Sequence, residues 1–186
     1  MDFPLEVLEP CVIVHPWSLE SMGGILRAVG GSHSGTLASA VYPAVDKALF
    51  FPFTLGKSVT ALSFLWLNGA VVSGNIDVGI YTEDGTLLYG LGATAQAGVN
   101  TFQFIPLIAP GLTFGPGTFY LAICMNNTTG ALMRGLANTA GTLPQVKSSL
   151  GAAEMDAAFR LPPTVTLVSL TVDYIPMFGF TTRTLI

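Results

Sequence analysis

From about residue 36 onward, apolar and polar positions alternate with a period of two, and glycine and proline interrupt the pattern at short intervals. The clearest run is Asn75 to Thr82. Ile76, Val78 and Ile80 fall on one side, and Asp77, Gly79 and Tyr81 on the other. Side chains on a strand alternate between faces, so this run predicts a strand with one apolar and one polar face. Glu83-Asp84-Gly85 then predicts a tight turn, with Thr86 to Leu91 pairing back as the second arm of a hairpin. Further strands are expected over Thr36 to Tyr42, Ala48 to Thr54, Lys57 to Leu67, Thr101 to Ile105 and Phe119 to Met125. In the third of these, Val59, Ala61, Leu65 and Leu67 face one way and Leu62, Phe64 and Trp66 the other. Both faces are apolar, which predicts cover on both sides. Pro52 lacks an N–H and marks an edge or a bulge. Seven or eight short strands with Gly/Pro turns predict an all-β fold, an antiparallel β-sandwich of jelly-roll-like type.

The flanks read differently. Residues 1–35 are expected to form an N-terminal arm, with Ser18 capping a short helix over Leu19 to Val29 and GGSHSG as a flexible connection. Residues 36–134 hold the sandwich. Residues 135–186 form a C-terminal extension with additional strands. Within it, Ser148 to Arg160 reads as a small helix or irregular chain, Leu161-Pro162-Pro163 as a stiff link and Val165 to Val172 as a strand.

Composition narrows the class. Hydrophobic residues make up 51% of the chain and charged residues 10%, against ~25% charged in typical soluble domains. Such a surface belongs to a membrane protein or to a subunit covered by neighbours. The longest apolar uncharged candidate for a span, Ser58 to Ile76, is broken by Asn68-Gly69 and is rich in strand formers, so no membrane span is expected. A covered subunit fits, because large obligate interfaces are apolar. The start of the chain is acidic and carries Pro4 and Pro10, unlike a secretory leader. Synthesis in a reducing cytoplasm is therefore expected, with Cys11 and Cys124 as buried free thiols. The net charge is −4, and Lys and Arg are scattered. Nucleic-acid binding needs a concentrated positive footprint and is not expected.

Several stretches spell chemistry without its context. GLGATA at 90–95 fits a dinucleotide fingerprint, but strands surround it and no acidic residue follows at ~20 positions. GLTFGPGT at 111–118 lacks the lysine of a phosphate loop. His15 and His33 form no metal pair, and GGSHSG puts histidine where a nucleophile elbow needs serine. Glu83 and Asp84 sit in a turn, their ordinary place. The sequence therefore predicts no catalytic residue, cofactor or metal. One binding candidate stands out. Asn75, Asp77, Tyr81 and Tyr89 lie on the predicted hairpin, where two aromatic rings on a shared face would stack a sugar.

From Phe50 the chain reads FFPFTLGKSVTALSFLWLNGAVVSGNIDVGIYTEDGTLLYGLG, then ATAQAGVNTFQFIPLIAPGLTFGPGTFYLAICMNN. The order of an apolar strand, G-N-I-D-V-G-I-Y, an acidic D-G-T turn, G-x-T-A-Q-x-G and P-G-T-F-Y-L-A resembles a β-sandwich module of tailed-bacteriophage virion proteins. It is similar to carbohydrate-binding jelly rolls as well. The resemblance spans roughly residues 48–127, and LPPTVTLVSLTVDYIPMFGF is more loosely similar to the tails of such proteins. It implies a structural virion protein: a fibre, spike or head decoration subunit, non-enzymatic, with no shared catalytic residues. Its expected partners are itself, as a homotrimer or higher multimer, other virion proteins and a host-surface glycan.

Overall fold

The computed structural model describes residues 13–14, 37–135, 151–172 and 174–182. Among these residues there are strands and no helix. The strands are β1 (Ile13–Val14), β2 (Leu37–Val41), β3 (Ala48–Leu55), β4 (Val59–Ala61), β5 (Ser63–Leu67), β6 (Asn75–Thr82), β7 (Leu87–Gly90) and β8 (Thr94–Ala95), followed by β9 (Phe102–Pro106), β10 (Leu112–Phe114), β11 (Gly117–Met125), β12 (Ala131–Gly135), β13 (Ala153–Met155), β14 (Val168–Ser169) and β15 (Phe178–Thr181). The larger sheet runs β14-β13-β3-β11-β6-β7, with β8 also on β6. The second runs β1-β15-β5-β9, and β10-β4 and β12-β2 form two small ladders. Every strand pairing is antiparallel. The fold is the expected all-β, antiparallel, sandwich-like one.

The alternation of the sequence builds the core directly. Leu49, Phe51 and Phe53 of β3, Ile76, Val78 and Ile80 of β6, and Leu121, Ile123 and Met125 of β11 point to one side of the larger sheet. They form a single buried cluster with Phe64 and Trp66 of β5 and Phe178 and Phe180 of β15. Aromatic rings lock the two sheets together: Phe51 meets Phe178 edge-on at 5.7 Å, and Phe53 meets Phe180 at 5.7 Å. Each such side chain contributes roughly 1.5–3 kcal/mol by leaving water, so this layer dominates stability.

Three features depart from the alternation or complete it. First, the run from Lys57 to Leu67 is not one strand. Ala61 and Phe64 both enter the main core, three positions apart, which strict alternation forbids. The chain switches ladders at Leu62, whose N–H donates to Thr181 O at 2.7 Å and whose carbonyl accepts Leu107 N–H at 2.8 Å. Leu65 and Trp66 are both buried, so β5 itself is covered on both faces.

Second, the Asp77 face of β6 is not a solvated polar face. Ala158 and Leu161 cover it, packing on Phe50, Tyr81, Ala122 and Cys124 with Val165 and Leu167 partly buried beside them. Between Gly151 and Arg160 the chain holds β13 and irregular structure. β13 and β14 extend the larger sheet, and β15 lies between β1 and β5.

Third, Pro52 sits where β3 becomes an edge. β13 pairs β3 only from Ala48 to Phe50, so beyond that point the missing N–H costs no ladder bond on that side. Cys124 is free and buried. The expected helix over Leu19 to Val29, and Cys11, lie outside the described residues.

Candidate functional site

The hairpin expected from the sequence is present, and Gly85 makes its turn with φ +85. Its candidate sugar-binding residues do not gather on one surface. A register shift between Ile80 and Tyr81 sets Tyr89 opposite Ile80 and Leu87 opposite Tyr81. Tyr89 therefore turns toward the main core, half-buried, with its ring 6.0 Å from Phe64. Tyr81 points to the opposite face and is fully buried. It packs edge-on against Phe50 at 5.3 Å and donates its hydroxyl to Pro162 O at 2.7 Å. Burial pushes the Tyr81 phenol up.

Asp77 is 1% exposed. Its Oδ1 accepts Gly92 N–H at 2.9 Å and its Oδ2 accepts Leu161 N–H at 3.0 Å. Burial raises the Asp77 carboxyl above its usual range, against the pull of those bonds. Asn75 begins β6 half-buried, and its N–H donates to Asn126 Oδ1 at 2.8 Å. The shared aromatic face is thus corrected. Tyr81 and Asp77 serve one packed layer and Tyr89 the other.

GLGATA takes the form of a bend. Leu91 N–H donates to Val78 O at 2.9 Å, Gly92 turns with φ +79, and β8 follows rather than a helix. GLTFGPGT likewise supplies β10, a turn at Gly115 with φ +93, and the start of β11.

A set of amide side chains was not singled out from the sequence, though each stands in or beside a turn between apolar strands. Trp66 Nε1 donates to Asn68 Oδ1 at 3.0 Å, and Asn68 Nδ2 donates to Gln103 Oε1 at 3.2 Å. Gln96 accepts Ser73 N–H at 2.8 Å and donates to Ala131 O at 2.7 Å. Asn127 accepts Gly130 N–H at 2.7 Å and donates to Ser73 O at 2.9 Å. Loops at one end of the sandwich are thereby bolted to one another, and their polar atoms are consumed in doing so. A buried ion pair fastens the C-terminal part to the larger sheet. Lys47 Nζ lies 2.8 Å from Glu154 Oε1 and 2.8 Å from Asp156 Oδ1, and Glu154 also accepts Thr171 N–H at 2.9 Å.

One long stretch of the chain leaves an uncharged surface with aromatic side chains on it. No Asp, Glu, Lys or Arg occurs from Gly85 through Met133. That stretch carries the edge strand β9, where Phe102 and Phe104 are 45% and 41% exposed with their rings 5.9 Å apart, and Ile108 beyond it is 85% exposed. Register places Phe104 beside Leu65, on the sheet face away from the core. A cleft of about 340 Å³ opens on the same side, lined by Leu62, Ser63, Phe104, Pro106, Leu107 and the turn 109–111. Its walls carry no ionisable group, and the one side-chain hydroxyl among them is that of Ser63.

Among the described residues, no group of three or more His, Cys, Asp or Glu is placed to hold a metal ion, and no helix is long and apolar enough to cross a membrane. In comparison with known proteins, no family model, no curated protein and no solved structure matches this chain.

Proposed function

We propose that this chain is a non-enzymatic assembly subunit of a tailed-bacteriophage particle, a fibre, spike or head decoration, that works by covering apolar surface against neighbouring subunits. The observation that carries the reading is the uncharged stretch from Gly85 through Met133 with Phe102, Phe104 and Ile108 displayed on it. Contiguous exposed aromatic surface marks interaction sites, and soluble sandwiches ordinarily guard sheet edges with charge. The phage assignment rests on the resemblance of residues 48–127, and low charge throughout the chain is consistent with a subunit enclosed by others. Self-association, contact with other virion proteins and residence in the virion all belong to this proposal.

The test is incorporation. Particles are purified by density gradient from a culture producing the chain, and the chain is quantified in them by mass spectrometry. Stoichiometric recovery in particles, resistant to a salt wash, is expected. Recovery only in the particle-free fraction would overturn the reading.

A further inference from the structure

We propose that the free edge of β9 pairs with β9 of a second copy of this chain, antiparallel about a two-fold axis at Phe104. This rests on the assembly reading above and assigns its contact surface. Among the described residues β9 is the last strand of its sheet, bonded on one side to β5. Leu107 N–H donates toward Leu62, and main-chain groups alternate in direction along a strand. Gln103 and Ile105 therefore turn their main-chain groups toward β5, and Phe102, Phe104 and Pro106 turn theirs outward.

The edge is complementary to itself. A two-fold at Phe104 lets each Phe104 N–H donate to the other copy's Phe104 carbonyl. It also sets Phe102 opposite Pro106, so that Phe102 N–H donates to the Pro106 carbonyl. The N–H that Pro106 lacks would have faced Phe102 at the outer end of the ladder, where water reaches the carbonyl. On the sheet face, Phe104 meets its own copy, and Phe102 meets Pro106. Aromatic pairs across strands stabilise antiparallel pairing. The uncharged edge carries nothing to repel its copy and no charge for an oppositely charged partner to read. Such an isologous contact gives an even number of copies and joins the two β1-β15-β5-β9 sheets into one.

The full chain tests this by light scattering after gel filtration. The wild type is expected at an even multiple of 19.5 kDa. Phe104→Lys places like charges directly opposite, which destabilises pairing, and is expected to halve the mass with the thermal midpoint unchanged. In a Cys11→Ser background, Phe104→Cys is expected to cross-link under mild oxidation to a band at twice the chain mass. Directly opposed bonded residues stand ~5.5 Å apart at Cα, within disulfide reach. Val168→Cys, exposed on β14, is the collision control and is expected to give no band. A wild-type multimer unmoved by Phe104→Lys and not cross-linked at 104 would overturn the β9 contact while leaving the assembly reading in place. A wild-type monomer with no cross-link would also overturn it, and incorporation into particles would then decide the assembly reading separately.

Discussion

Asp77 Oδ1 accepts the backbone N–H of Gly92 at 2.9 Å. The aspartate of GNIDVGIY thus holds the bend of GLGATA, and its second oxygen holds Leu161 from the segment that crosses the sheet. One buried carboxylate fixes a strand, a turn and a covering segment together. Asp77→Ala leaves the buried Leu161 N–H and the half-buried Gly92 N–H without their acceptor, at about 1–3 kcal/mol for each to the extent that water is kept from it. A thermal midpoint lower by roughly 5–10 °C is expected, since 1 kcal/mol moves a chain of this size by ~2–4 °C. A melt of Asp77→Ala that overlays the wild type would show that these bonds do not support the fold. The sign with pH is also defined. The folded carboxyl binds its proton more tightly than the ordinary value of 3.8 allows, so this group's contribution becomes more favourable as pH falls. Relative to Asp77→Asn, the wild type should gain stability between pH 7 and pH 4 in urea melts.

The Lys47–Glu154 pair has the opposite acid dependence. Burial works against the Glu154 charge, but the bonds from Lys47 and Thr171 prevail and hold the carboxyl below its ordinary 4.5. Burial likewise opposes the Lys47 charge, and the bonds to Asp156 and Glu154 raise the ammonium above its ordinary 10.5. The carboxylate's contribution is full above 4.5 and is lost as pH falls through the lowered folded value. The ammonium's is full below 10.5 and is lost as pH rises through the raised one. Glu154→Gln is expected to cost about 1–3 kcal/mol at pH 7. That deficit should shrink below pH 4.5 in denaturant titrations; a deficit that stays constant down to pH 3 would remove the charge from the explanation.

Cys124 lies at the centre of the covered face, and burial pushes its thiol well above the ordinary range. Only the thiolate reacts readily. In a Cys11→Ser background, iodoacetamide at pH 8 is expected to leave the folded chain unlabelled over hours and to label it fully in urea. Rapid labelling of the folded chain would mean that the segment carrying Ala158 and Leu161 lifts off the sheet.

The hairpin was legible because Ile76, Val78 and Ile80 alternate without a break and Glu83-Asp84-Gly85 supplies the turn. Pro52 was legible as an edge because proline has no N–H to give. Other features were hidden for physical reasons. Alternation tells which residues share a face and not what covers it, so Asp77 and Tyr81 read as a polar surface although Leu161 and Pro162 lie over them. The Tyr89 offset arises from one register irregularity at Ile80/Tyr81, and a slip of one residue exchanges the faces of a strand. Leu62, where the chain leaves one ladder for another, carries no glycine or proline to announce it. The amide bolts at Asn68, Gln96 and Asn127 leave no mark of their own in the sequence, because their partners come from distant turns.

The position of β15 between β1 and β5 has a consequence for biosynthesis. β5 leaves the ribosome long before Phe178, yet Phe64 and Trp66 cannot complete their layer until Phe178 and Phe180 arrive. During elongation the nascent chain carries an open aromatic face and unpaired strand edges, the condition in which chains stick to one another. Pairings between such distant segments close slowly. The sandwich therefore forms after translation has passed β15, and until then holding chaperones have an aromatic face to bind.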